Sequence, residues 1–482
     1  MAQLVDSLNN LLWSQALIYL CLGTGLYFSI VTRFMQVRHI KDMMKLLVGG
    51  GSSEQGVTSF QAFALSVSGR VGTGNIAGVA TAIAMGGPGA IFWMWTIAFL
   101  GAGSAFVESV LAQIYKIERD GEYRGGPAYY IERGMGVKWY AVLFAISTII
   151  AMGFFLPGVQ SNSIAACINN AFGISPYISG LVIIALLGII IFGGVKRISR
   201  AAEIIVPLMA IGYIIVALII IAVNITKLPA VISLIFRSAF ALEPAFGGIL
   251  GMAITWGVKR GIYSNEAGQG TGPQAAAAAE VSHPTVQGLV QAFSVYVDTL
   301  FVCSATAFMI LITGNYNVAD PGGDFIVENI PGVAVGPAYT QLAVNSFLPG
   351  FGGGFVAIAL FFFAFTTLMA YYYFAESNVA YLFQNEGTRK TVITITRFVL
   401  LGSTYYGAVR TASLAWGLGD IGVGVMAWLN IIAIIILQKP ALKALRDYEE
   451  QKKQGKEPHF DPNKLGINKG AEIWYKINKA GK

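Results

Sequence analysis

Apolar runs of about 18 residues or more, the length that crosses a bilayer as a helix, recur through the whole chain. They fall at roughly 12–32, 58–85, 89–115, 139–171, 176–194, 201–224, 242–264, 285–313, 350–383, 392–411 and 417–438. The pattern predicts an all-α polytopic membrane protein with about 11 transmembrane helices. A Gly86-Gly87-Pro88 turn separates the second run from the third. The Gly314–Pro349 connection is long and rich in Gly and Pro, and it carries Asp320, Asp324 and Glu328.

The second run does not read as an ordinary helix. Within Ser66–Trp95, SVSGRVGTGNIAGVATAIAMGGPGAIFWMW, the polar Arg70, Thr73 and Asn75 stand among Gly69, Gly72, Gly74 and Gly78. Glycine costs about 1 kcal/mol relative to alanine inside a helix. An arginine near the centre of a span costs roughly 2.5–3.5 kcal/mol on insertion scales. Non-helical backbone at membrane depth is tolerated only where protein buries it or it lines a cavity. The stretch is therefore expected to be a discontinuous helix whose freed amides and carbonyls face a ligand. Arg70 needs a buried partner; Asp298 and Glu108 are the candidates, and a place at an inner gate follows from such a pair.

With the first run set aside, ten remain as two sets of five. The second set opens with GILGMAITWGVKRGIYSNEAGQG (Gly248–Gly270), where Gly247, Gly248, Gly251, Gly257 and Gly261 punctuate an apolar run and Thr255 and Trp256 sit beside the expected break. The second run starts on one side of the membrane and the seventh on the other, so the sets are inverted. Paired Gly-interrupted helices in inverted halves point to a transporter's binding site. Amides at half-helix N-termini suit an anionic group, and loose carbonyls suit a cation. The chain divides into 1–57 (extra helix and cytoplasmic loop), 58–224 and 242–438 (the two five-helix repeats) and 439–482 (a basic tail).

Composition agrees with a membrane protein: 55% of residues are hydrophobic and 12% charged, against about 25% charged in soluble domains. The net charge of +7 reflects topology rather than a nucleic-acid partner. Of 32 Lys and Arg residues, 28 fall on one face of the expected topology, with Lys259 and Arg260 assigned to a loop there. Lys227, Arg237 and Arg410 fall on the other face. The positive-inside rule then puts the N-terminus outside and the C-terminus in the cytoplasm of a bacterial inner membrane. Residues 1–10 lack Lys and Arg, so the first apolar run reads as a retained helix and not a cleaved signal. The basic tail reads as a solvated, frayed segment near anionic lipid, with Tyr448–Lys456 as a surface-lying helix. Cys21, Cys167 and Cys303 all lie in apolar runs, which argues against disulfides and thiolate metal sites. Glu108, Glu203, Asp298 and Glu376 lie within spans, and structural pairing is expected for Glu108 and Glu376. The histidines, His39, His283 and His459, fall in loops or tail and support no proton relay. No Walker, HExxH or GxSxG motif is present, so neither an ATP-driven pump nor an enzyme is indicated.

Three segments carry a resemblance. GTGNIAGVATAIAMGGPGAIFWMW (Gly72–Trp95), WGVKRGIYSNEAGQG (Trp256–Gly270) and VQSNSIA (Val159–Ala165) are similar to the alanine or glycine:cation symporter family of the amino acid–polyamine–organocation superfamily. The resemblance implies a leucine-transporter-type 5+5 inverted repeat with discontinuous helices. It implies sodium-coupled uptake of small neutral amino acids, alanine and glycine above all, with proton coupling or a glutamine preference as the alternative. No cofactor is implied beyond the coupling Na⁺, and no obligate protein partner. Carried over by position, Thr73, Gly74 and Asn75 would hold the substrate carboxylate, and Gln160 would lie near the substrate. Thr255, Trp256 and Gly257 would take the ammonium and limit side-chain size. Sodium would be held by the carbonyls of Ser68 and Val71 with the hydroxyls of Thr366 and Thr367. Arg70 and Tyr371 stand where some members have threonine and tryptophan, and both bear on which side chain is accepted.

Overall fold

A computed structural model describes residues 2–48, 56–467 and 469–480. The chain opens with α1 (Ala2–Leu12) and α2 (Gln15–Val31), which run on as one apolar stretch, followed by α3 (Met35–Arg38) and α4 (Ile40–Val48). Next comes α5 (Ser59–Arg70), a five-residue π-turn at Gly74–Gly78 and α6 (Val79–Gly86). The central helix α7 (Gly89–Ile114) leads into a short hairpin, β1 (Ile117–Arg119) with β2 (Glu122–Arg124). Then follow α8 (Pro127–Tyr130), α9 (Lys138–Ile150), α10 (Leu156–Phe172), α11 (Pro176–Ile191), α12 (Gly194–Val223) and α13 (Leu228–Ala239). The second half holds α14 (Leu250–Asn265), α15 (Gly272–Ala278), α16 (Pro284–Tyr296) and α17 (Ser304–Thr313). A second hairpin, β3 (Asn317–Ala319) with β4 (Phe325–Glu328), lies in the Gly/Pro-rich connection before α18 (Pro337–Asn345). The chain closes with α19 (Gly352–Leu382), α20 (Glu386–Ala408), α21 (Ala412–Ile436), α22 (Gln438–Lys453) and α23 (Glu472–Ala480).

Fewer helices cross on length and composition than the 11 expected. Among the described residues, 7 stretches are long and apolar enough by themselves: Gln3–Val31, Gly89–Ile114, Lys138–Phe172, Gly194–Val223, Pro284–Thr313, Gly352–Leu382 and Ala412–Ile436. An eighth is counted if α13 and Pro244–Asn265, bent by 45° at their junction, are taken together. The other expected spans are helical but fall short for separate reasons. The 58–85 run is broken, α11 has only 16 residues, and α20 begins with the polar run Glu386–Thr391. The chain is a multi-pass membrane protein. Its lipid-facing surface shows on α12, where Ile204, Leu208, Ile211, Ile215 and Leu218 recur at helical spacing and are all exposed.

Helix α7 is the hub, packed against α2, α13, α14, α15 and α16. Small residues set those distances. A Cβ on Gly257 would lie 2.5 Å from the Ala90 carbonyl, and one on Gly261 would lie 2.4 Å from Ile97. These glycines serve close packing and do not break the helix, so α14 runs unbroken through Thr255, Trp256 and Gly257, where a break was expected. The interruptions fall at its ends instead. A 3-10 turn, Pro244–Ile249, precedes it, and Glu266 in the left-handed region (φ 55°) ends it.

Two further expectations are corrected. Lys259 and Arg260 lie inside α14, buried, and do not belong to a cytoplasmic loop. The carboxylate of Asp420 on α21 compensates them, 2.7 Å from Lys259 Nζ and accepting two hydrogen bonds of 2.9 Å from Arg260. The basic tail is not frayed. Its α22 and α23 dock on other elements, with Trp474 completely buried and donating to the Gln113 carbonyl next to the end of α7.

Candidate functional site

The break in the second apolar run is where the expected residues meet. Helix α5 is opened by a capping box, Thr58 accepting from the Gln61 amide at 3.1 Å and Gln61 accepting from the Thr58 amide at 3.1 Å. It closes at Val71, whose backbone turns extended (φ −77°, ψ 90°). Gly72 is required at this point. A Cβ there would sit 2.4 Å from Thr367 Oγ1 and 2.9 Å from Gln160 Oε1. The chain then restarts as the Gly74–Gly78 π-turn, and Val71 through Gly78 are all buried.

Side chains from α10, α19 and α16–α17 converge on that interruption. The Thr73 amide donates to Gln160 Oε1 at 3.0 Å, and Gln160 Nε2 donates to the Tyr371 hydroxyl at 3.3 Å. The Thr367 hydroxyl lies 3.4 Å from the Val71 carbonyl and 3.0 Å from the Phe363 carbonyl one turn back. Asn75 braces the loop by accepting from the Gly72 amide at 2.8 Å and donating to Asp298 Oδ1 at 2.6 Å. Gly74 is held against Ser264, with a Cβ there 3.1 Å from the Ser264 Cα. Thr73 Oγ1 is buried without a protein partner.

The Ser68 carbonyl, the expected ligand, lies in the last turn of α5 just before Val71, and the Ser68 hydroxyl donates to the Leu65 carbonyl at 2.7 Å. Some expected residues stand elsewhere. Thr366 Oγ1 donates to the Phe363 carbonyl at 2.9 Å and faces Met209 of α12, away from Val71. Thr255 and Trp256 are half-buried on α14, and the Trp256 ring lies 5.2 Å from both Lys259 Nζ and the Arg260 guanidinium.

Arg70, only 2% exposed, makes no salt bridge to Asp298 or Glu108. Its Nη1 donates to the Gln291 carbonyl at 3.1 Å and to Ser294 Oγ, tying the end of α5 to α16. Glu108 accepts from the Gly268 amide at 3.2 Å and from Asn430 at 2.6 Å, and Glu376 pairs with Arg124 at 3.3 Å.

Two residues near the break carry weight that the sequence reading did not give them. Asp298 was expected as a carboxylate within a span and as a partner for Arg70. In the fold it is a hub between three helix interruptions, accepting from Asn75, from Ser264 at 3.0 Å and from Thr299 at 2.7 Å. Glu266, which accepts from Thr271 at 2.7 Å, sits at the end of α14. An intramembrane carboxylate is a functional candidate by default, and that rule, applied to the NEAGQG stretch, would have found Glu266.

Comparison with known proteins places this geometry. Residues 1–462 match the sodium:alanine symporter family. YrbD of Bacillus subtilis (strain 168) is 67% identical over 476 residues, covering 99% of this chain and 98% of its own. A "sodium/proton-dependent alanine carrier protein" of Bacillus sp. (strain PS3) is 54% identical over 433 residues, 90% of this chain and 97% of its own. Among solved structures, a Na⁺-coupled sialic acid symporter in a substrate-bound outward-open state shares the fold. Its TM-score is 0.52 at 14% identity, over 98% of this chain and 97% of that one. The chain belongs to the sodium:alanine symporter family, whose members are transporters and not enzymes.

Proposed function

We propose that this chain is a secondary active transporter that carries a small neutral amino acid, alanine ahead of glycine and glutamine, into the cell together with Na⁺ by alternating access. The observation that carries the reading is the buried break at Val71–Thr73, where the Thr73 amide leaves the helix ladder to meet a side chain of α10 and the Val71 carbonyl meets one of α19. Support for alanine and sodium comes from relatives, since the Bacillus sp. (strain PS3) carrier and a "sodium/alanine symporter" of Methanococcus maripaludis, 37% identical over 460 residues, carry both in their names. In this reading residues 58–224 and 242–438 are inverted halves, the N-terminus is outside, and the C-terminus is on the cytoplasmic side of a bacterial inner membrane.

The roles follow from the contacts. The substrate carboxylate takes the Thr73 and Gly74 amides by displacing Gln160 Oε1, with Asn75 holding the loop open. Gln160 and Tyr371 line the side-chain end. Na⁺ sits between the Val71 carbonyl and the Thr367 hydroxyl, oxygen donors that suit a hard cation. The Ser68 carbonyl, in the last turn of α5, remains a further oxygen ligand, whereas the Thr366 hydroxyl is spent within its own helix and drops out. Thr255, Trp256 and Gly257 act by packing α14. Arg70 holds the α5 end against α16 and closes the cytoplasmic side. A second reading, proton coupling, rests on Asp298, a buried carboxylate one hydrogen bond from Asn75.

Uptake of labelled alanine into proteoliposomes decides between these. An inward Na⁺ gradient should drive accumulation that glycine competes and that fails with K⁺ in place of Na⁺. Accumulation that ignores Na⁺, follows an inward pH gradient and is lost in Asp298→Asn would move the coupling ion to H⁺.

A further inference from the structure

The tail after α21 bridges elements that lie on opposite sides of one seam. On one side are α3 and α4, which lead into α5. Glu449 of α22 accepts from Arg38 at 2.7 Å, lies 3.0 Å from His39 Nε2 and also pairs with Arg33, while Lys452 pairs with Asp42 at 2.6 Å. On the other side is the turn from Ala279 to His283. Asp447 lies 3.4 Å from His283 Nε2, and the Phe460 amide donates to the Ser282 carbonyl at 3.0 Å. The Phe460 ring packs against His283 at 5.4 Å and Trp474 at 5.0 Å. Trp474 in turn donates to the Gln113 carbonyl at 3.0 Å, and Arg133 pairs with Glu472.

That turn is what α5 leans on. The Val57 amide donates to the Ala278 carbonyl at 3.0 Å, the Glu280 amide donates to the Val57 carbonyl at 3.0 Å, and Gln287 donates to Ser59 Oγ at 2.8 Å. Lys116 and Gln113, at the end of α7, both donate to the Ala279 carbonyl, at 2.8 and 3.0 Å. Helix α5 is interrupted at the Val71–Thr73 break, so a swing about that break parts its other end from this turn. The tail grips the approach to α5 with one hand and the turn with the other.

We infer that the docked tail, α22 through α23, is a built-in brake on the cytoplasmic gate, which must slacken each time α5 swings away from the 279–283 turn. The inference rests on the transport reading above. Its test uses the full chain in proteoliposomes. Glu449→Ala with Lys452→Ala frees the α3–α4 side. Alanine influx should then rise about five-fold, the low end of a coupling between sites, with KM unchanged. A membrane-impermeant maleimide applied from the cytoplasmic side should label Val57→Cys faster in that background. A Ser282→Cys/Phe460→Cys pair, combined with Glu449 and Lys452 intact, should stop influx when oxidised and restore it on reduction. Influx that the oxidised pair leaves unchanged overturns the brake. So does a freed variant whose influx falls in step with its thermal stability, since that outcome makes the tail a buttress. If the parent itself shows no cation-driven alanine influx, the transport reading fails and Val57→Cys labelling alone judges the brake.

Discussion

Thr366 and Thr367 are neighbours on α19, yet about 100° of helical rotation separates their use. Thr367 reaches the Val71 carbonyl across the interface, whereas Thr366 turns toward Met209. A threonine hydroxyl in a helix often bonds only its own preceding turn, and sequence cannot say which of two adjacent threonines escapes that fate. The geometry can. Thr367→Ala should raise the Na⁺ concentration for half-maximal alanine uptake about ten-fold, a loss of roughly 1.4 kcal/mol typical of one ligand to a charged group. Thr366→Ala should leave it near the parent value. The reverse result would return the ion site to Thr366. The same crowding explains Gly72, where any side chain would collide with Thr367 and Gln160.

At the scale of the element, glycine-rich apolar runs carry two meanings that look alike in sequence. In α5–α6 the glycines sit with Arg70, Thr73 and Asn75, and the helix does break there. In α14 Gly257 and Gly261 face α7, and the helix stays whole. The interruption was therefore legible in the first stretch and misplaced in the second, where the glycines meet a neighbouring helix face that the sequence does not display. Buried charge was read less well. Lys259 and Arg260 looked like loop residues because their partner, Asp420, is 160 positions away from Arg260 in the chain. The tail was misread for a related reason, as its composition is that of a solvated segment while its anchors are a few aromatic residues spaced beyond any helical period. One consequence is a titration at the end of α7. Burial among Tyr123 and Trp474 holds the Lys116 ammonium down to about 7, with Glu280 pulling it partly back up. Its pKa is lower folded than unfolded, so the unfolded chain binds more protons between about pH 7 and the usual lysine value near 10.4. Stability from this group should increase as pH rises through that window and level off below it. In detergent, the unfolding temperature should climb from pH 7 to pH 9, and Lys116→Met should flatten that climb.

At the scale of the whole molecule, buried polar contacts join helices that are distant in sequence. The Lys259–Arg260–Asp420 group joins α14 to α21, with the Arg260 guanidinium 4.5 Å over the Trp416 ring. Removing one partner from a buried ion pair typically costs about 3–5 kcal/mol, because the survivors stay charged and buried. Asp420→Asn should therefore lower thermal stability sharply. Replacing Lys259, Arg260 and Asp420 together by apolar residues of similar volume should recover most of the loss. An Asp420→Asn variant as stable as the parent would mean that water already reaches the pair.

The end of the first helical stretch meets the far end of the chain. Asn9 donates to the Gly417 carbonyl, Trp13 to the Asp420 carbonyl, and Trp428 to the Leu12 carbonyl, across 408, 407 and 416 positions of sequence. During synthesis α1 and α2 must therefore wait in the bilayer, with these donors and acceptors unmatched, until the ribosome has delivered α21. Contacts of such long sequence separation form late. Membrane insertion and tertiary assembly are thus separate events for this chain. In the interval the first helical stretch is open to whatever quality-control machinery recognises polar groups exposed to lipid.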